Sequence, residues 1–174
     1  EATIAADVWN ETGLVSGLRH TLAYIVEACD DIAYSVIDAE DTVKKGYASF
    51  YDLMDFLRTT NVGDAVTTRV VDAAIRKNNE YKTCRLSSRE LNDISMQMFR
   101  VKAIKEMVDA VVITFIGAID KFMAGTASPG YELIKNSSCA AFCLTTKTLT
   151  IGIDFSIQKY FASNSRETTT SKIL

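Results

Sequence analysis

The chain has 174 residues, a length typical of one domain with a sizeable apolar core. Apolar residues make up 48% of it and charged residues 24%, a composition that excludes an intrinsically disordered chain. The net charge of −3 excludes the overall basic surface typical of nucleic-acid-binding domains, although a local basic patch remains possible. We therefore expect a single domain over residues 1–174.

Membrane insertion and secretion are not indicated. The most apolar window, Met107 to Ile119, is too short to span a bilayer and contains Asp109. The first residues, Glu1-Ala2-Thr3, are acidic and no long apolar run follows them, so no signal peptide is visible. These features predict a cytoplasmic protein with no membrane partner.

The cysteines form no CxxC pair and are expected to be reduced thiols. Cys139 and Cys143 lie four residues apart, a spacing that places them on one helix face. We interpret them as small core residues, with a metal-binding pair as the alternative.

Helical periodicity predominates, and the chain contains a single proline and eight glycines. This pattern predicts an all-α helical bundle of about five to seven helices. The predicted helices run from Ser16 to about Lys45, Ser49 to Arg58, Asp64 to about Lys77, Ser87 to about Met123, and Ser137 or Ser138 past Tyr160, with a polar loop from Asn78 to Leu86 and a short segment from Pro129 to Lys135. Ser49 with Asp52 and Ser87 with Glu90 fit the capping-box pattern.

An apolar stripe follows the first long helix at steps of three and four residues, which predicts one buried face. Its members are Leu18, Leu22, Ile25, Val26, Cys29, Ala33, Val36 and Ile37.

Three polar side chains, Asp30, Tyr34 and Asp38, follow the same helix at intervals of four residues. Each interval turns the helix by about 400° and advances it by about 6 Å, so the three share a face that adjoins the apolar stripe. We expect that face to be at least partly buried, where carboxylates need a partner or a cation. Such a row suits a pocket wall for a cation, sugar hydroxyls or phosphate oxygens. The alternative is an amphipathic helix whose acids face water.

Residues 19–41 read Arg-His-x-Leu-x-Tyr-x-x-Glu-Ala-x-Asp-Asp-Ile-x-Tyr-Ser-x-x-Asp-x-Glu-Asp. This stretch resembles a characteristic block of the bacterial dGTP triphosphohydrolases (dGTPases) and related dNTPases of the HD superfamily. It departs from that block at Thr21, where a proline is common, and at Cys29, where an alanine is common. The resemblance implies an HD-domain dNTPase fold. The implied reaction is hydrolysis of a dNTP, with dGTP expected, to a deoxynucleoside and triphosphate.

The resemblance also implies roles for individual residues. Asp30 corresponds to the last ligand of an H…HD…D site that holds a divalent metal, Mg²⁺ or Mn²⁺. Tyr34 corresponds to a side chain that contacts the sugar or triphosphate, and Asp38 to one that binds the deoxyribose 3′-hydroxyl. Asp31 and Glu27 are expected to play supporting or capping roles.

His20 is the only histidine, and we expect it to be structural rather than a metal ligand. The H and HD motifs are therefore absent. We interpret the chain as an internal or C-terminal-half piece of a larger dNTP triphosphohydrolase. It is expected to contain no catalytic residue of its own and to be inactive alone.

A second, weaker resemblance covers Phe99-Arg100-Val101-Lys102-Ala103-Ile104, where the family has an aromatic-Arg-x-x-Ala-Ile pattern. It places Arg100 near a phosphate and Phe99 near the base, roles that suit a guanidinium and a ring. The alternative is an exposed arginine beside a core phenylalanine.

The family further implies a homo-oligomer for the full protein and a possible single-stranded DNA effector. Two rival functions stay open. The first is another HD-family nucleotide phosphohydrolase, which would not release triphosphate. The second is a non-catalytic helical interaction module, which would bind neither metal nor dNTP. An isolated piece of this kind is expected to expose apolar surface and to associate.

Overall fold

The computed structural model describes residues 2–13, 19–128 and 130–149, and it is helical with no β-strand in those ranges. This confirms the predicted all-α class. The helices are α1 (Ala2–Thr12), α2 (Thr21–Lys44), α3 (Phe50–Thr60), α4 (Ala65–Tyr81) and α5 (Ser88–Met123). Residues 140–149 are also helical and are called α6. No helix of the described ranges is long and apolar enough to cross a membrane.

The helix starts follow the predicted capping signals. Ser49 and Asp52 form a reciprocal capping box at α3, and Ser87 and Glu90 form another at α5. The side chain of Asp64 accepts a hydrogen bond from the Thr67 amide and caps α4. These bonds satisfy backbone amides that have no partner inside the helix, which is why short polar residues mark the helix starts.

Several other helix boundaries in the structure differ from the predicted ones. Helix α2 begins at Thr21 with His20 as its N-cap, and the predicted cap Ser16 lies outside the described residues, as do Pro129 and the predicted continuation past Tyr160. Helix α4 continues to Tyr81 instead of ending near Lys77. Helix α1 was not predicted, and the side chains described in it are exposed to solvent.

Helix α4 continues because Asn78 faces the core and finds polar partners there. Its amide nitrogen donates to Ser95 Oγ at 2.8 Å, and its amide oxygen accepts from the Tyr51 hydroxyl at 2.5 Å. Ser95 in turn donates to the Leu91 carbonyl. A buried polar group costs little when it is hydrogen-bonded in this way, so the polar composition of the segment did not end the helix.

The core is built around α5, which packs against α2 on one side and α4 on the other. The largest fully buried side chains include Leu53, Met54, Leu57, Met96, Phe99, Met107, Leu133 and Phe142. Burying each such side chain stabilises the fold by about 1.5–3 kcal/mol. The aromatic rings of Phe99 and Phe142, 6.3 Å apart, join α5 to α6.

Helices α2 and α5 run antiparallel. Near the start of α2, the Thr21 hydroxyl lies 4.0 Å from the Met123 sulfur near the end of α5. Near the other end of α2, Arg100 of α5 donates to Glu40 at 2.7 Å. These contacts fix both the direction and the rotation of α2 against α5.

Glu106 offers a pH-dependent test of the α4–α5 contact. It is buried and accepts hydrogen bonds from Lys102 and Arg69, each at 2.6 Å. The bond from Lys102 lowers the pKa of Glu106 from its ordinary 4.5; burial opposes this and Arg69 lowers the pKa further. Because the pKa of Glu106 is lowered in the folded state, the stabilisation by its ionised carboxylate is fully present at pH values above the ordinary pKa. This stabilisation is lost as the pH falls through the folded-state pKa.

We therefore expect Glu106→Gln to lower the free energy of unfolding by about 1 kcal/mol or more at neutral pH, because hydrogen bonds to a charged group are lost. Near pH 3 the difference from the parent chain should shrink. Urea unfolding at the two pH values measures it. Asp109→Asn, which removes an exposed pair with Lys105, is the control and should change little at either pH. An equal loss at both pH values would contradict the ionic origin of the effect.

Candidate functional site

The row Asp30, Tyr34 and Asp38 lies within α2 as an uninterrupted helix, so the three side chains share a helix face. Asp30 is exposed, Tyr34 is 60% exposed, and Asp38 is half-buried. The expectation of partial burial is therefore met by Asp38 and wrong for Asp30 and Tyr34. The row forms an open, solvent-accessible wall.

Asp30 and Tyr34 are exposed because most of the predicted apolar stripe beside them does not face the core. Leu22, Val26 and Ile37 are 59%, 67% and 47% exposed, and Cys29 is exposed as well. Of the predicted stripe, Val36 alone is buried among the described residues, and Leu18 lies outside them. The other buried residues of α2 are Tyr24, Ala28, Ile32, Ser35, Ala39, Glu40, Thr42 and Val43. Helix α2 thus has two apolar faces, and the one adjoining the acidic row is not the one that enters the core.

Asp30 and Asp38 make no hydrogen bond or ion pair with the described part of the chain, and neither does the Tyr34 hydroxyl. Three polar side chains on one face are therefore available to a ligand. A carboxylate without a protein partner can accept a hydrogen bond from a hydroxyl or bind a cation, and a phenol can donate to a phosphate oxygen.

Asp31 differs from its neighbour in this respect. It accepts a hydrogen bond from Lys147 of α6 in a partly buried ion pair. Burial works against the charge of Lys147, but the bond to Asp31 raises the pKa of the ammonium above its ordinary value. The pair ties α2 to α6, which gives Asp31 a structural contact and leaves Asp30 as the free carboxylate.

Two further predicted residues have structural contacts. His20 Nδ1 accepts a hydrogen bond from the Leu22 amide at 3.1 Å and caps α2, which confirms the structural interpretation. Glu27 pairs with Arg19 at 2.9 Å, and the Arg19 guanidinium lies 4.7 Å from the centre of the Tyr24 ring. These local contacts hold the N-terminal part of α2, which precedes the acidic row.

The structure does not bring Arg100 to the row. Arg100 binds Glu40, which lies two residues after Asp38 and hence about 200° away around the helix. Its role toward a phosphate stays a prediction. Phe99 is fully buried and packs against Phe142, so the expectation that it lies near a base is wrong and the alternative of a core phenylalanine is confirmed.

A metal site is not complete in the described part of the chain. No group of three or more His, Cys, Asp or Glu side chains is arranged there to hold an ion. The buried cysteines Cys139 and Cys143 are free thiols whose pKa is raised by burial, which confirms them as core residues. Asp30 offers at most one ligand from this face.

Sequence reasoning missed a cleft of about 470 Å³ beside Asp31, where α6 meets α2. Lys147 and Lys135 contribute ammonium groups to it, and Asp31 and Glu132 contribute carboxylates. Opposite charges balance, so the cleft has no net preference for an anion. No sequence signal could have revealed it, because Asp31 and Lys147 are 116 residues apart.

The neighbours Asp30 and Asp31 provide a matched test of these assignments. Asp30→Asn should change the free energy of unfolding by less than about 0.5 kcal/mol, because no described contact is lost. Asp31→Asn should lower it by about 1 kcal/mol, because the bond to the partly buried Lys147 is weakened. Thermal and urea unfolding of the two variants measure the difference. A larger loss for Asp30→Asn would show that Asp30 has a structural role.

Comparison with known proteins identifies relatives of one kind. No protein-family model matches the chain. A probable deoxyguanosinetriphosphate triphosphohydrolase of Pseudomonas aeruginosa is 31% identical over 133 residues, which are 72% of this chain and 26% of the relative. A deoxyguanosinetriphosphate triphosphohydrolase of Serratia proteamaculans is 29% identical over 71% of this chain and 26% of its own length. A deoxyguanosinetriphosphate triphosphohydrolase-like protein of Listeria monocytogenes is 28% identical over 62% of this chain and 22% of its own length.

The chain therefore spans about a quarter of the length of the curated relatives it matches. Over most of its own length, it is similar to bacterial proteins named deoxyguanosinetriphosphate triphosphohydrolases.

Proposed function

We propose that this chain forms one substrate-binding wall of a metal-dependent dNTP triphosphohydrolase, with dGTP as the expected substrate. In that reaction, water adds to phosphorus, the bond between the triphosphate and the 5′-oxygen breaks, and a deoxynucleoside and triphosphate are released. The observation that carries the proposal is the free row Asp30, Tyr34 and Asp38 on α2. The similarity to proteins named dGTP triphosphohydrolases supports it.

The spacing of the row suits a ligand with a sugar at one end and phosphates at the other. Eight residues of α-helix from Asp30 to Asp38 span about 12 Å, which is on the order of the length of a deoxyribose with its triphosphate. The Asp38 carboxylate would accept a hydrogen bond from the 3′-hydroxyl. The Tyr34 hydroxyl, halfway along, would contact the sugar or donate to a phosphate oxygen.

Asp30 would supply one oxygen ligand to a divalent cation, Mg²⁺ or Mn²⁺, which binds carboxylate and phosphate oxygens readily. Because the described residues hold no further group of ligands, the others must come from elsewhere in the assembled protein. Residues 1–174 alone should therefore show no turnover. A homo-oligomeric assembly and a single-stranded DNA effector remain predictions from the resemblance, and a cytoplasmic location remains a prediction from the sequence.

A non-catalytic helical interaction module is the second candidate. The exposed apolar residues of α2 and α5 favour it, because surfaces of that kind commonly bind proteins. This alternative predicts that neither metal nor dNTP binds at the row. Ligand titration therefore separates the two functions.

The role of Asp38 can be tested by changing the protein and the ligand together. We expect Mg²⁺–dGTP to shift the NMR signals of Asp30, Tyr34 and Asp38 in the chain as it stands. Mg²⁺ with 2′,3′-dideoxyguanosine triphosphate, which lacks the 3′-hydroxyl, should bind about tenfold more weakly or worse, since a hydrogen bond to a charged group contributes about 1.5–3 kcal/mol. In Asp38→Ala the two nucleotides should bind equally.

Asp41→Ala is the control, because Asp41 lies on the same helix and pairs with Lys45 at 3.3 Å. It should keep the preference for dGTP. Loss of that preference in both variants, or its persistence in Asp38→Ala, would contradict the assigned contact. Absence of any NMR shift at the row would favour the interaction module.

Turnover is tested separately with a triphosphate-release assay, using Mn²⁺ or Mg²⁺ and each dNTP. Turnover by residues 1–174 alone would contradict the proposal that the metal site of this chain is incomplete.

A further inference from the structure

The cleft beside Asp31 lies between α2 on one side and α6 with the turns that precede it on the other, and we call it the α2–α6 cleft. Two ammonium groups line it, from Lys135 and Lys147, together with two carboxylates, from Asp31 and Glu132. The other side chains that line it are apolar. Its volume of about 470 Å³ is within the range of small-molecule sites.

The α2–α6 cleft borders the acidic row. Asp31 follows Asp30 directly, so it lies about 1.5 Å further along α2 and about 100° around it. By the same geometry, Asp31 is about 60° from Tyr34 and about 20° from Asp38 around the helix, which places it at the edge of the row. A ligand bound along the row therefore has the cleft beside it at the Asp30 end.

Both ammonium groups lie near α2 and keep donors free. Lys147 donates to Asp31, and 35% of its side chain is exposed. Lys135 donates to Glu132 at 2.6 Å, and 72% of its side chain is exposed. The pKa of Lys135 is raised first by that bond and also by the charges of Asp31 and Glu27, so its ammonium faces α2 as well. An ammonium has three N–H donors, and each of these two has one carboxylate partner in the described part of the chain, so further donors remain for a ligand.

The balance of charge limits the ligand that the cleft suits. The two carboxylates offset the two ammonium groups, so a bare anion gains no net attraction there. A triphosphate chelated to Mg²⁺ presents both signs, because Mg²⁺ is bound by phosphate oxygens together with one or two carboxylates. Lysine ammonium groups donate to the phosphate oxygens of such a ligand.

The length of the row decides which phosphates reach the cleft. With the sugar at Asp38, the first phosphate of a nucleotide lies near Tyr34, about halfway along the row. The two outer phosphates lie near Asp30, where the cleft begins. A monophosphate placed in the same way ends before it.

We propose that the α2–α6 cleft binds the two outer phosphates of the nucleotide, with Lys135 and Lys147 donating to their oxygens. Asp31 and Glu132 hold the two ammonium groups in position. The cleft thereby selects triphosphates over monophosphates, which distinguishes the proposed reaction from that of another nucleotide phosphohydrolase. The placement of the sugar and the first phosphate rests on the proposed function, whereas the binding of a triphosphate in the cleft does not.

A ligand series tests how far the nucleotide must extend. Residues 1–174, labelled with carbon-13 at the lysine ε-methylene groups, are titrated with Mg²⁺ and dGTP, dGMP or inorganic triphosphate. We expect dGTP and inorganic triphosphate to shift the NMR signals of Lys135 and Lys147, and dGMP to shift neither. Equal shifts with dGMP and dGTP would overturn the proposal, as would the absence of any shift at these lysines with dGTP and inorganic triphosphate.

Matched lysine substitutions provide a second readout. Lys135→Met should weaken the binding of Mg²⁺–dGTP about fivefold, the size expected for an exposed ion pair, and leave that of Mg²⁺–dGMP unchanged. Lys105→Met is the control, because Lys105 is also exposed and pairs with Asp109 at 2.6 Å but lies outside the cleft. It should change neither affinity. A ratio of dGTP to dGMP affinity that is the same in Lys135→Met as in the parent chain would contradict the assignment of Lys135.

Lys147 needs a conservative variant, because its loss also removes a contact between α2 and α6. Lys147→Arg keeps the charge and a partner for Asp31, so it should keep the preference for dGTP over dGMP. Lys147→Met should reduce that preference by a similar factor to Lys135→Met. An unchanged preference in Lys147→Met would contradict the assignment of Lys147, and Lys135→Met still tests the cleft if Lys147→Met does not fold.

The cleft and the proposed function can fail separately. A preference for the 3′-hydroxyl at Asp38 with no response from either lysine would uphold the proposed function and overturn the role of the cleft. Shifts of Lys135 and Lys147 by inorganic triphosphate, without any preference for the 3′-hydroxyl, would uphold the cleft and reject the proposed function.

Discussion

The antiparallel packing of α2 on α5 is the constraint on which the rest of the structure depends. The stack of Tyr24 on Phe122 holds one end, and the pair of Glu40 with Arg100 holds the other. Glu40 is almost fully buried and also lies 2.7 Å from Lys44. A buried carboxylate needs its partners, because removing one leaves an uncompensated charge. The rotation of α2 about its own axis is therefore strongly determined.

That rotation decides what α2 offers to a ligand. It directs Ile32 and Val36 into the core, and it directs Asp30 and Tyr34 into solvent. The contact of Asp31 with Lys147 reinforces the same orientation from the side of α6. Adjacent carboxylates thus have different uses, since Asp31 holds two helices together while Asp30 stays free. Because Asp30 has no structural contact, the exposed acidic face of α2 is consistent with a ligand-binding wall.

The exposed apolar residues of α2 and the acidic row beside them have one cause. A helix with two apolar faces can bury only one of them against α5 and α6, and the other remains on the surface beside the row.

The sequence by itself determined the helices, most of their ends and the alignment of Asp30 with Tyr34, because capping and helical periodicity depend on residues a few positions apart. It did not reveal α1, whose described side chains lie outside the core.

Only the tertiary structure decided which face of α2 is buried. The competing faces are similar in apolar character, and the choice between them is made by contacts such as that of Arg100 with Glu40, across 60 residues, and that of Lys147 with Asp31, across 116 residues. Periodicity gives the angles between side chains on one helix. The orientation of that helix depends on distant residues that no local pattern contains.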